Sequence, residues 1–338
     1  MSNQRDVSLD IIRIVACLMV IAMHAPMPSD NAIGMFNVAL SYYTAPCIGL
    51  FFMVSGALLL PIKSNGIDFL KKRFSKIVIP TLFWSLFYIA CKYFDNGMEY
   101  GNLVRSILSI PFSAQGHGVM WFMYTLAGLY LIAPIISAWI DRASKRELEI
   151  YLSLWLLSTC YPIINLALTT QSGNTNILYY LSGFAGYFLL GYYLTKYPNA
   201  ISKWITIPST IIALIAPVIC KYFNWEVEFY EMFWYLSIFV VIMTASIFQI
   251  ITKYSDRCAI NSIVARISNL SFGIYLTHIF IMRFVLWRCD FILNINSYIL
   301  QTIVVIILTF IGSLGLSYII AKLPMCNYII GYKIKKNR

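Results

Sequence analysis

The chain has 338 residues, of which 60% are hydrophobic and only 12% charged, about half the charged fraction of an ordinary soluble domain. With a mean hydropathy of +0.74 there is too little polar surface to face water, so a soluble enzyme or soluble binding domain is excluded. The net charge of +11 would suit a nucleic-acid partner, but the basic residues fall in alternate connecting segments rather than on one patch, and no nucleic acid is expected.

Apolar runs near the length that crosses hydrocarbon, about 20 residues each, recur along the chain. In order they predict helices over Val7–Ala25, Ala39–Leu60, Ile77–Phe94, Val119–Ile140, Ile150–Thr170, Leu178–Thr195, Trp204–Cys220, Tyr230–Ile251, Leu270–Trp287 and Tyr298–Ala321. The expected fold is an all-α polytopic membrane bundle of about ten transmembrane helices, a single domain over residues 1–338. Asp10 and Arg13 interrupt the first run and no small-x-small cleavage site follows His24, so this run is expected to stay as the first membrane helix rather than be removed as a signal peptide.

An even number of spans puts both ends on one side. That side holds all but six of the 25 basic residues; Lys92, Arg105, Lys221 and Arg288 fall opposite, and Arg13 and Arg283 lie inside helices. By the positive-inside rule both termini are expected in the cytoplasm. The eight cysteines are scattered with no Cys-x-x-Cys pair, so neither a metal site nor a redox motif is indicated. They read as small buried hydrophobes.

Ionisable groups inside a membrane are expensive and default to functional candidates. Arg13 and His24 are eleven residues apart, which on a helix is about 16 Å along the axis and only about 20° around it. They share a face. Asp10, three residues before Arg13, can pair with its guanidinium, although the two charges can instead anchor the helix at the interface by snorkelling. The chain has only three histidines. His278 shares a stripe with Ser271 and Tyr275, and an imidazole in such a place moves protons near neutral pH.

These residues resemble a known family. Arg13 through His24 is similar to the Arg-x10-His motif of the acyltransferase family 3 membrane proteins, which move acyl groups onto sugars and peptidoglycan. Pro46 to Leu60, containing Leu50-Phe51-Phe52-Met53-Val54-Ser55-Gly56, resembles that family's second helix. Arg73-Phe-Ser-Lys76 resembles its basic Arg-x-x-Arg loop, with lysine in place of the second arginine. Trp121-Phe122-Met123-Tyr124 through Pro134 resembles its His-Leu-Trp-Phe helix, and Ser271-Phe-Gly273-Ile274-Tyr275-Leu-Thr-His278 its late Ser-x-Gly-Ile-Tyr-x-x-His signature. One departure is visible: the family's histidine sits two residues before the tryptophan, where this chain has Val119, while His117 lies four before it. The nearest subtype is the enterobacterial-common-antigen type of O-acetyltransferase.

The resemblance implies a multi-pass protein of the bacterial cytoplasmic membrane that takes acetyl from cytoplasmic acetyl-CoA and delivers it to a hydroxyl of a surface polysaccharide or lipid-linked glycan precursor. Lys72, Arg73 and Lys76, with Lys71, would bind the phosphates of the donor, arginine by bidentate contacts and lysine as a point charge; their alternative role is to set topology. Arg13 would make a specific donor contact, and His24 would be the general base. Tyr275 and His278 would stabilise the oxyanion or orient the acceptor, while Ser55-Gly56 reads as a close-packing site. Trp225 to Glu231 offers rings and carboxylates to a sugar, or an interfacial belt. The rival reading is a transporter of a glycan or small solute, for which the repeated halves common in that class are not seen; a third is a sensor that binds an acyl group without turnover.

Overall fold

The computed structural model describes residues 5–27, 34–96, 100–114, 120–168, 176–255 and 262–334. Among them every regular element is a helix. Eight helices are long and apolar enough to cross a membrane, and nine if one bent pair counts as a single span. The protein is thus an all-α, multi-pass membrane bundle.

The helices are α1 (Val7–His24), α2 (Gly34–Thr44), α3 (Pro46–Leu59), α4 (Gly66–Asn96), α5 (Tyr100–Ser109), α6 (Trp121–Ile140), α7 (Lys145–Ser158) and α8 (Tyr161–Leu168). They continue as α9 (Ala185–Lys196), α10 (Lys203–Tyr222), α11 (Phe229–Met232), α12 (Ile238–Ser255), α13 (Ser262–Ile279), α14 (Asp290–Leu293), α15 (Tyr298–Ile320) and α16 (Cys326–Ile330). Helices α2 and α3 together form one apolar span, Gly34–Leu59. The bent pair is α7 and α8, which meet at 45°. Pro162, in the first turn of α8, has no N–H to continue the α7 ladder and so ends it there.

The segment expected to cross at Leu178–Thr195 is the one whose helix is too short. Its helical part, α9, has 12 residues, about 18 Å of rise. Eight of those residues are buried. Helix α10 is the opposite case: Ile205, Ile211, Ile212, Ile215 and Val218 are all exposed, an apolar surface that suits lipid and not water.

The chain divides into two compact units. The first comprises residues 1–23, 28–61 and 135–265, and its centre is the pair α3 and α9. A Cβ on Gly56 would lie 1.8 Å from the Phe188 carbonyl oxygen, and one on Gly191 would lie 2.0 Å from that of Met53. The two backbones therefore touch because neither position carries a side chain, which is how helices associate where lipid removes the hydrophobic drive. Ser55 returns its hydroxyl to the Phe51 carbonyl at 2.9 Å and plays a packing part, as its sequence context suggested. The Tyr187 hydroxyl donates to the Tyr235 carbonyl at 2.7 Å, tying α9 to the segment before α12.

The second unit comprises residues 24–27, 62–134 and 266–338. Helix α4 runs its length and is fastened at two heights. Trp84 Nε1 donates to the Ile329 carbonyl at 2.9 Å, and the Tyr88 hydroxyl to that of Leu276 at 2.6 Å. Helices α13 and α15 approach closely at Gly273, where a Cβ would lie 2.7 Å from Ser317 Oγ. Past Ile279 the α13 helix opens into a π turn over Phe280–Val285 and closes in a short 3₁₀ turn, Leu286–Arg288.

Candidate active site

The second unit brings together three of the residues singled out from sequence. His24, the last residue of α1, and His278, near the end of α13, have ring centroids 5.7 Å apart. The Tyr275 ring lies 5.6 Å from His278 and 5.2 Å from Phe122, so the Trp-Phe motif at the start of α6 supports the late Gly-Ile-Tyr-x-x-His motif of α13. Tyr275 and His278 meet because three residues is less than one helical turn. Their contact with His24 joins residues 254 positions apart.

The two nitrogens of His278 are in different states. Nδ1 is bonded to the Tyr275 carbonyl, and a carbonyl only accepts, so Nδ1 carries the proton. In the neutral ring Nε2 is then a bare acceptor. It is buried and has no hydrogen-bond partner among the described residues, in a side chain whose residue is only 2% exposed. Buried polar atoms are nearly always satisfied, and one left open beside a second imidazole marks a place where a hydroxyl or N–H fits. His24 is half-buried.

Arg13 lies on the face of α1 that the eleven-residue spacing predicts, but its electrostatic setting differs from the expected simple pair. Arg13 Nη1 is 3.9 Å from Asp10. Asp10 is buried and its main partner is Arg5, which bonds both carboxylate oxygens, one of them at 2.9 Å, and also reaches the Ala265 carbonyl at 3.1 Å. Arg5 precedes the helix, so no helical spacing rule points to it. Only the path of the chain into α1 brings it back onto Asp10.

Lys72, Arg73 and Lys76 occupy the early turns of α4, with Lys71 beside them. The lysines are exposed and Arg73 is half-buried, its guanidinium 5.8 Å above the Phe69 ring and its Nε enclosed with no hydrogen-bond partner among the described residues. From Arg73 to Tyr88, whose hydroxyl holds Leu276 next to the histidine site, is about 22 Å along α4. Within this unit a basic cluster and an imidazole pair thus stand at two heights of one helix.

Sequence reasoning passed over Arg283 as a site residue. It lies in the π turn, within electrostatic reach of both His24 and His278, and 5.5 Å from the Trp287 ring. Its position inside an apolar span was the available signal. His117 lies outside the described residues. In the first unit Glu226, Glu228 and Glu231 are exposed, and Trp225 stacks on Phe223 at 5.7 Å. Among the described residues no group of His, Cys, Asp or Glu is arranged to hold a metal ion.

The second unit thus holds two neighbouring imidazoles and, on α4, a cluster of basic side chains. Residues 6–322 match the model of acyltransferase family 3, described as an acyltransferase domain, and the chain belongs to that family. It is an acyltransferase, whose reaction needs an acyl donor and an acceptor. No curated protein and no solved structure matches the chain.

Proposed function

We propose that the protein is an O-acetyltransferase of the bacterial cytoplasmic membrane, of the enterobacterial-common-antigen type, that moves acetyl from cytoplasmic acetyl-CoA to a hydroxyl of a surface polysaccharide or lipid-linked glycan precursor. The observation that carries this reading is the His24–His278 pair with an open acceptor nitrogen. Acyl transfer to oxygen requires a base at the attacking hydroxyl, and the family match to an acyltransferase domain favours that use of the pair over a proton relay in a transporter.

His24 takes the proton from the acceptor hydroxyl as its oxygen attacks the thioester carbonyl carbon. The carbon–sulfur bond then breaks, and the departing thiolate recovers a proton, leaving free CoA and the ester. A base so placed contributes about 10²–10⁴-fold in rate. His278, with its N–H engaged by the Tyr275 carbonyl, offers an acceptor and so favours the orienting role over donation to the oxyanion. Lys72, Arg73 and Lys76 bind the donor phosphates.

The test is acetyl transfer to purified glycan, measured beside acetyl-CoA binding in nanodiscs. His24→Ala should abolish transfer and keep donor binding, while Arg73→Ala with Lys76→Ala should raise the donor KM with kcat little changed. Substantial turnover by well-folded His24→Ala would remove the base assignment. Absence of transfer by the wild type to any hydroxylated acceptor would favour the transporter.

A further inference from the structure

Arg283 is a permanent cation inside an apolar span, and among the described residues it makes no ion pair and no hydrogen bond. The acid carried nearest the end of α4, Asp95, is already bonded to Arg288. Left alone, such a charge is costly in a membrane. Snorkelling to the interface would lower that cost, yet Arg283 stays close enough to act on His24 and His278, and Lys92 of α4 lies within its electrostatic reach as well.

The backbone aims it there. Five residues separate His278 from Arg283, and in an uninterrupted α-helix that interval would turn Arg283 about 140° away. The π turn over Phe280–Val285 widens the helix by pairing i with i+5, which returns position 283 toward the His278 face; π turns recur at functional sites for this reason. The His278 Nε2 and Trp287 Nε1 atoms are both buried without a hydrogen-bond partner among the described residues, and the Arg283 guanidinium lies 5.5 Å from the Trp287 ring. Arg283 is exposed while His278 is enclosed, so the group is open on one flank.

We propose that Arg283, with Trp287 Nε1 beside it and Lys92 adding positive potential, binds an oxyanion group of the acyl acceptor, so that the enzyme's preferred acceptor is an anionic glycan carrying a carboxylate or a phosphate close to the acetylated hydroxyl. This rests on the reading of the protein as an acyltransferase acting on a glycan hydroxyl. The anion is fixed by the two donors, and the neighbouring hydroxyl is thereby delivered to His24 and His278 Nε2.

The test is a binding measurement that needs no turnover. The protein in neutral-lipid nanodiscs is titrated with three trisaccharides that differ only at one sugar: a glucuronate, its neutral carboxamide and a 6-phosphate. The wild type should bind at least one anionic form about tenfold or more tightly than the carboxamide, the usual size of a charge-assisted contact. That ratio should collapse toward one in Arg283→Gln and be largely kept in Arg283→Lys. Which anionic form binds tighter identifies the oxyanion. Equal wild-type affinity for all three sugars overturns the proposal, as does an undiminished ratio in folded Arg283→Gln. If Arg283→Gln fails to insert, the wild-type ratio and Arg283→Lys still decide. Because no donor is present, failure of acetyl transfer in a separate assay would strike the acetyltransferase reading and leave this result standing.

Discussion

Asp10 sets the charge balance at the start of α1, and it does so through a residue outside the helix. With Arg5 bonded to both of its oxygens and Arg13 only at 3.9 Å, the carboxylate keeps its main partner when Arg13 is removed. Arg13→Ala should therefore melt close to the wild type and lose donor affinity, whereas Arg5→Ala removes the group bonded to both oxygens of a buried carboxylate and should lose about 1 kcal/mol or somewhat more, the partial exposure of Arg5 reducing the figure. Thermal melting in detergent compares them; a larger loss for Arg13→Ala would show that the 3.9 Å contact dominates. The i, i+3 rule found the Asp10–Arg13 neighbour correctly. It is silent on Arg5, because residues before a helix follow no helical period.

Among the elements, α3 and α9 depend on glycine for contact. At Gly56 a methyl group would meet the Phe188 carbonyl oxygen at 1.8 Å, a backbone atom that cannot turn aside, so the helices must separate. Gly56→Ala should lower stability by about 1–3 kcal/mol, as overpacking does. Gly128 in α6 is the control: nothing lies within 4 Å of its added methyl, and Gly128→Ala should be neutral or stabilising by up to about 1 kcal/mol through helix propensity. Equal melting shifts for the two would mean that α3 and α9 accommodate the methyl by moving apart at little cost. The Ser-Gly pair was legible in sequence as a packing site, but its partner was not, since small residues specify that a helix approaches and leave open which one.

For the whole molecule, the expected count of ten spans rests on α9 acting with its flanks, because eight helices and one bent pair meet the length and composition of a span while α9 has 12 residues. If that region crosses, both termini lie on the side of the basic loops. A reporter fused after Arg338 should then report the cytoplasm, and one placed in the loop between α9 and α10, beside Lys196 and Lys203, should do the same. A periplasmic signal at the C-terminus would require an odd number of crossings and reverse the side assigned to every later loop. The two compact units do not follow the order of the chain: the second unit takes its residues from three separate stretches, a division no composition shift announces.

What the amino-acid order determined by itself is whatever depends on local chemistry. Apolar run length decided that the protein lives in lipid, because unpaired backbone groups there force helices, and the spacing within α1 and α13 placed Arg13 with His24, and Tyr275 with His278, on common faces. Five matches in order pointed to the family. Tertiary structure alone decided which faces meet: His24 opposite His278 across 254 positions, Arg5 on Asp10, and α9 against α3. It also decided the state of each imidazole nitrogen, because that depends on whether a carbonyl or open space lies beyond the ring. The π turn that aims Arg283 at the histidines belongs to the same class, since a widened turn in an apolar helix is set by what packs around it and leaves no mark in the hydrophobic pattern.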